Sequence, residues 1–372
     1  MRDPNRRLVK SALWPMIFVS FGCAALVIFL SSCSGGQTVQ HESQKIEEDT
    51  IAVRYSIIFI IHGDNDYLYH DTSDNKFYAN EETLAEVKRI AEENPHAEVF
   101  IFHQKPASHF LFFFPLRDGE FYYYRNGQLR ANELYWRDQE QSNFNLELEL
   151  YRRFRVKNER EMLSMFLYFG HEIPEFAKAG YDASYPDRTF AVQDLANGLK
   201  EFTTDSARFD LLVLSTCYGG TPYTIGMLGP YAQTIIASPD NLHLSYFDLK
   251  SLESLDVSLR DGDVSAFANG FAQQIFDKLT KDIQTVVSIA VYEVDSVQEY
   301  LHSVYSTYEY SLNTLIRKTQ ISSATIEHCD CADIPAYIMP TMKKGVNVFY
   351  RSARFGRSKS KQNHSGWECW KE

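Results

Sequence analysis

Two residue types that can do covalent chemistry stand at the ends of apolar runs. Gly170-His171-Glu172 follows Met165–Phe169, and Ser215-Thr-Cys217-Tyr-Gly-Gly220 follows Phe209–Leu214, with His171 lying 46 positions before Cys217. A thiolate is a nucleophile, and an imidazole can protonate a leaving group and then activate water. The glycines after Cys217 would let the backbone turn sharply out of the strand, exposing the thiol and aiming its own N–H at a developing oxyanion. Each residue also has a plainer use, His171 as a satisfied strand-end histidine and Cys217 as a small buried hydrophobe.

A parallel sheet must position them. Arg54–Ile61 is a continuous apolar run of the kind buried on both faces, ending in His62-Gly-Asp-Asn-Asp66. Asn80 is placed as the cap of a helix with Glu81 and Glu82 in its first turn, Leu84, Val87, Ile90 and Ala91 on one face, and Asn94-Pro95 as its stop. Ala97–His103 is the next strand. Phe- and Tyr-rich sequence from Ala107 to Leu134, with Asp118-Gly119 and Asn126-Gly127, reads as an antiparallel excursion with tight turns. The αβ rhythm resumes with strands at Met165–Phe169, Phe209–Leu214, Gln233–Ala237 and Thr285–Val291, and helices near Ala191–Phe202, Ala266–Lys281 and Ser296–Arg317. Alternation of this kind builds a doubly wound sheet whose strand carboxyl ends bind ligands, so His171 and Cys217 should emerge at one edge.

Three segments resemble the clostripain-like cysteine peptidases, of the clan that includes caspases, legumains and gingipains. Ile60–Leu68 is similar to the family's first strand and its loop, Phe166–His171 to the catalytic-His strand, and Leu211–Gly220 with Ile235–Asp240 to the catalytic-Cys strand and the one after it. The resemblance implies an α/β, caspase-like αβα sandwich with a mostly parallel central sheet and, here, an antiparallel hairpin insertion. It also implies cleavage of a peptide or protein substrate through an acyl-enzyme on Cys217 with His171 as general acid and base. The oxyanion would be held by N–H groups of Cys217 and of Gly170 or Glu172. Two positions depart from the pattern. Glu172 replaces the usual Gly, and Ser215 stands where an acidic residue usually lines the pocket for a basic side chain, so specificity for Arg or Lys does not carry over, although Asp240, Asp248 or Glu172 could substitute. A catalytically silent relative that binds peptide in the same cleft is the alternative, and Glu172 and Ser215 are what favour it. Relatives also mature by loop cleavage, which makes Lys178, Arg188, Arg152 or Arg153 processing candidates.

The remainder of the chain speaks to location. Arg2, Arg6, Arg7 and Lys10 precede Ala12–Leu30, a run without charge, and Leu30-Ser-Ser-Cys33 resembles a bacterial lipobox. The expectation is a signal peptide over 1–32, lipidation of Cys33, attachment to the outer membrane facing the periplasm or the cell surface, and a tether over 33–50. A run of this length could instead remain as a transmembrane anchor. One peptidase domain would follow over 51–372, with its core at 52–250 and a C-terminal extension of the same fold at 251–372. Of 372 residues, 44% are hydrophobic and 14% aromatic, which excludes a disordered chain. A net charge of −12, becoming −15 once 1–32 is removed, argues against nucleic acid as a partner.

Six cysteines divide accordingly. Cys23 leaves with the signal and Cys33 carries lipid, leaving Cys217 and the C-terminal Cys329, Cys331 and Cys369. With His328 and His364 nearby, zinc is one reading of the C-terminal group. In an oxidising compartment a disulfide from Cys369 to Cys329 or Cys331 is the preferred one, with no metal. No cofactor is expected beyond a calcium that Asp64, Asn65 and Asp66 could hold, against the simpler reading of a solvated loop with local turns. Arg351, Arg354, Arg357, Lys359 and Lys361 form a basic stretch, read as a solvated face or a contact for anionic lipid, and Trp367 and Trp370 should pack the end of the chain onto the body.

Overall fold

The computed structural model describes residues 51–63, 68–70, 76–111, 113–137, 143–156, 162–176, 179–203, 207–242, 247–260, 262–297, 328–330 and 345–370. Cys33, the Asp64–Asp66 loop, Lys178, Cys331 and nearly all of the helix expected over Ser296–Arg317 lie outside them. No helix among the described residues is long and apolar enough to cross a membrane.

Runs of β-branched and aromatic residues that can be covered on both faces make the middle of the sheet. Strands β1 (Tyr55–His62) and β4 (Ala97–Gln104) are buried along their whole length, and β9 (Leu163–Phe169), β10 (Phe209–Ser215) and β11 (Ala232–Ala237) complete a parallel centre. These five belong to a nine-stranded sheet in the order β14-β12-β11-β10-β9-β1-β4-β7-β8, where β7 is Gly119–Arg125, β8 Gln128–Tyr135, β12 Val287–Glu293 and β14 Val346–Arg351. The flanking pairs β7/β8 and β12/β14 are antiparallel, and so are their junctions with the centre, β4/β7 and β11/β12. Short ribbons add β2 (Leu68–His70) with β3 (Lys76–Tyr78), β5 (His109–Phe110) with β6 (Phe114–Pro115), and β13 (His328–Asp330) with β15 (Glu368–Trp370).

Strand alternation sends side chains to two separate apolar layers. Ile58 and Ile60 of β1 join one, with α2 (Asn145–Phe154), α3 (Val192–Phe202) and α4 (Pro222–Leu228). Ile57, Phe59 and Ile61 join the other, with α1 (Ala79–Glu93), the short α5 (Leu255–Ser258) and α6 (Val264–Asp282). The molecule is therefore an α/β sandwich with a mostly parallel sheet between helical layers.

Local corrections have physical causes. Asn80 lies inside α1 rather than capping it, because its side chain is buried with Nδ2 3.1 Å from His103 Nε2. Asn126-Gly127 forms the expected hairpin turn, with φ of 53° and 75°. Asp118-Gly119 does not turn. Asp118 is buried and accepts from Arg137 and Tyr185, and Gly119 opens β7 against the ring of Tyr135, which leaves no room for a Cβ. The insertion's other tip, around β5 and β6, leaves Phe110, Leu111, Phe113, Phe114 and Leu116 exposed. The basic stretch does structural work: Arg351 donates to the carbonyls of Ile283 and Thr285 and Arg354 to that of Thr280, satisfying groups at the carboxyl end of α6.

Candidate active site

Adjacent parallel strands bring the imidazole and the thiol to one edge. Ser215, the last residue of β10, is opposite Phe169, the last of β9, so Cys217 and His171 each lie two residues beyond the same rung of the ladder. Paired strands run about 4.8 Å apart, which keeps both residues at one edge of the sheet. Gly170 is there because the space is taken: a Cβ would lie 3.0 Å from that of His62.

Cys217 is half-buried and packs against the layer containing α6. Its thiol donates to Asn241 Oδ1 at 3.3 Å, and its sulfur accepts from the N–H of Leu242 at 3.4 Å. Sequence reasoning missed Asn241, although its place just past β11 was the available signal. The loop after Cys217 is tied to the one after β11, with Tyr218 N donating to Asp240 O and Gly220 N to Ser238 O. The positive φ expected of a glycine falls instead on Tyr218, at 51°, a conformation costly for a residue with a bulky side chain. The glycines serve close approach. A Cβ on Gly220 would lie 2.6 Å from Tyr292 Oη and 3.0 Å from the backbone nitrogen of Pro239. Gly220→Ala should therefore lower stability by about 1–3 kcal/mol, the usual cost of overpacking, and a thermal melt within error of wild type would contradict this packing.

Below His171 lies a buried polar assembly. Tyr181 is stacked between His62 at 5.0 Å and Phe190 at 4.7 Å, stands edge-on to His171 at 6.5 Å, and hydrogen-bonds the hydroxyl of Tyr168. The Nδ1 of His62 lies 2.8 Å from Gln104 Oε1, and Gln104 donates from Nε2 to Glu147. Asp182, wholly buried, accepts from Arg137 and Arg188, both at 2.7 Å. Arg188 is thus an ion-pair partner with only 11% of its side chain exposed, a poor target for processing.

The other expected residues are placed as follows. Gly170 spends its N–H on the carbonyl of Ser215 at 3.4 Å, so it is not an oxyanion donor in this arrangement. Ser215 is buried and its hydroxyl accepts from Phe247 N, so it shapes the loop instead of presenting itself to a ligand. Asp248 accepts from Lys250 N and from Gln274 of α6. Asp240 Oδ2 lies 3.3 Å from Nε2 of the buried His364, whose Nδ1 accepts from Gly366 N. Glu172 is half-buried. Among the described residues no group of three or more His, Cys, Asp or Glu could hold a metal ion. Cys329 stands opposite Cys369 in the β13/β15 ladder.

Three solved structures match over most of this chain and of their own length. All three are C11 cysteine proteases, the clostripain-like family. A secreted C11 cysteine protease from Bacteroides thetaiotaomicron, in complex with an irreversible peptide inhibitor, matches at 13% identity and a TM-score of 0.47 over 70% of this chain and 71% of that one. An inactive zymogen C11 protease from Parabacteroides distasonis matches at 14% and 0.45, over 79% and 74%. A second structure of a secreted C11 cysteine protease from B. thetaiotaomicron, iotapain, matches at 10% and 0.45, over 71% and 72%. No family model and no curated protein matches the chain.

Proposed function

We propose that the protein is a cysteine endopeptidase held at the outer membrane through a lipidated Cys33, with Cys217 as nucleophile and His171 as general acid and base. The observation that carries the reading is the shared rung: both residues lie two positions past the paired ends of neighbouring parallel strands. In the reaction the Cys217 sulfur attacks the scissile carbonyl, and the N–H groups of Cys217 and Glu172 receive the charge that builds on oxygen. His171 gives its proton to the departing amine. It then takes one from the water that releases the acyl group. The N–H of Leu242 points at the sulfur at 3.4 Å and helps to fix its position for attack. Membrane attachment rests on the charged start, the apolar run and the small residues before Cys33.

A silent, peptide-binding relative is the second reading, and one contact favours it: the thiol donates to Asn241 Oδ1, a hydrogen bond that attack on a carbonyl would have to break. Labelling with a peptidyl acyloxymethyl ketone, compared between wild type and His171→Ala, separates the two. Strong labelling of Cys217 that depends on His171 is the expected result. Labelling indifferent to His171 would assign the cleft to binding.

A further inference from the structure

We infer that Cys329 and Cys369 form a disulfide, and that it fastens a C-terminal brace against the loop carrying Cys217. The sequence leaves the partner of Cys369 open between Cys329 and Cys331. The ladder does not: β13 and β15 pair antiparallel with His328 opposite Trp370, Cys329 opposite Cys369 and Asp330 opposite Glu368. Directly opposed residues in such a ladder have Cα atoms about 4.5 or 5.5 Å apart, depending on the hydrogen-bonding phase. Both spacings fall within the roughly 4.4–6.8 Å window of disulfides. The ribbon has three residues on each side. A two-stranded ribbon is marginal alone, so a covalent tie gives it a reason to persist.

What the tie would hold is the stretch just before β15. Trp367 is wholly buried, with its ring 5.3 Å from that of Tyr292. The hydroxyl of Tyr292 lies within hydrogen-bonding reach of the carbonyls of Gly366 and Gly220. Two residues before Gly366, His364 faces Asp240, whose carbonyl accepts from Tyr218 N. Segment 364–367 is therefore linked to Tyr218 through Asp240 and to Gly220 through the Tyr292 hydroxyl, and these are the residues that turn the chain away from Cys217. The disulfide stands independently of the peptidase reading, and only its effect on Cys217 rests on that reading.

The chemistry balances with a disulfide oxidant. The Cys329 thiolate attacks a sulfur of the oxidant, expelling one thiolate and leaving a mixed disulfide, and the Cys369 thiolate then attacks the Cys329 sulfur and expels the second. The protein loses two electrons and two protons, and the oxidant gains the electrons as two thiols. An exported protein, as the N-terminal run suggests, meets such oxidants.

The test is peptide mapping of the full-length protein incubated with oxidised glutathione, alkylated under denaturing conditions without reductant, and compared with a reduced sample. A cross-linked peptide containing Cys329 and Cys369, with Cys217 and Cys331 alkylated, is the expected result. Alkylation of both Cys329 and Cys369 before reduction, or a link through Cys331, overturns the proposal. Cys329→Ser and Cys369→Ser should each lower the melting temperature by the same amount, roughly 10 °C. Each should also weaken ketone labelling of Cys217 severalfold. Equal melting temperatures for wild type and both variants would contradict the brace even if the link is found. A mapped link in a protein whose Cys217 never labels leaves the disulfide standing and removes the peptidase reading.

Discussion

Cys217→Ala will remove hydrolysis of any peptide that the wild-type protein cleaves, by a factor on the order of 10⁴ or more in kcat/KM. The size follows from the proposed role. Without the sulfur no acyl-enzyme forms, and what remains is whatever binding and the oxyanion donors supply to attack by water. His171→Ala should cost nearly as much, and the double variant little more than either single one, because in the proposed reaction the two residues act on the same step. The fold should survive both changes, since Cys217 is half-buried and His171 lies two residues past β9, a strand that the apolar layers already hold. Stopped peptide assays of the four proteins decide it. A Cys217→Ala variant retaining a tenth or more of wild-type kcat/KM would end the proposal, and an additive double variant would place His171 outside the reaction.

Asp182→Ala should destabilise the protein by about 3–5 kcal/mol, the cost of removing one partner from a buried charge assembly. Asp182 accepts from two guanidinium groups, and Arg137 is almost as buried as the carboxylate itself. Burial alone would lower the Arg137 pKa, and the charges of Asp182 and Asp118 more than reverse that, holding it above the ordinary value. The phenol of Tyr185, donating to Asp118, is pushed up to about 12, first by burial and then by that carboxylate. Deleting Asp182 leaves both cations in the interior with fewer partners. The melting temperature should fall by roughly 10 °C. Tyr181 precedes Asp182 and stands edge-on to His171, so labelling of Cys217 should fall as well. A melt within about 2 °C of wild type would show the assembly to be dispensable.

Much of this was legible because a strand covered on both faces is a run with few polar interruptions, as in Ser56–Ile61, Met165–Phe169 and Leu211–Leu214. Because His171 and Cys217 each follow such a run, the sequence alone puts both at the carboxyl edge of a parallel sheet. Other features hid for physical reasons. Asn145-Leu-Glu-Leu-Glu-Leu150 alternates like a strand, yet forms α2, with Glu147 buried because Gln104 and Tyr135 both donate to it. The partnership of Arg137 with Asp182 spans 45 positions, and that of His364 with Asp240 spans far more, so no local pattern announces either. Asn80 looked like a cap because caps are local, whereas its actual partner, His103, lies across a strand. Asn241 carried only the weak signal of following a strand.

The order of the sheet has a consequence for how the chain acquires it. β1 is among the earliest segments in sequence and lies between β9 and β4 in space, and Tyr55 of β1 pairs with Leu163 of β9 across more than a hundred residues. Such contacts form slowly, because a long loop must close before any pairing energy returns. The β7/β8 hairpin, turning at Asn126-Gly127, needs no such wait and can form as a local unit. Wherever the chain folds as it is delivered from its N-terminal side, Ile57–Ile61 must therefore remain without one neighbour until β9 follows, a window in which an apolar strand edge can pair with another chain.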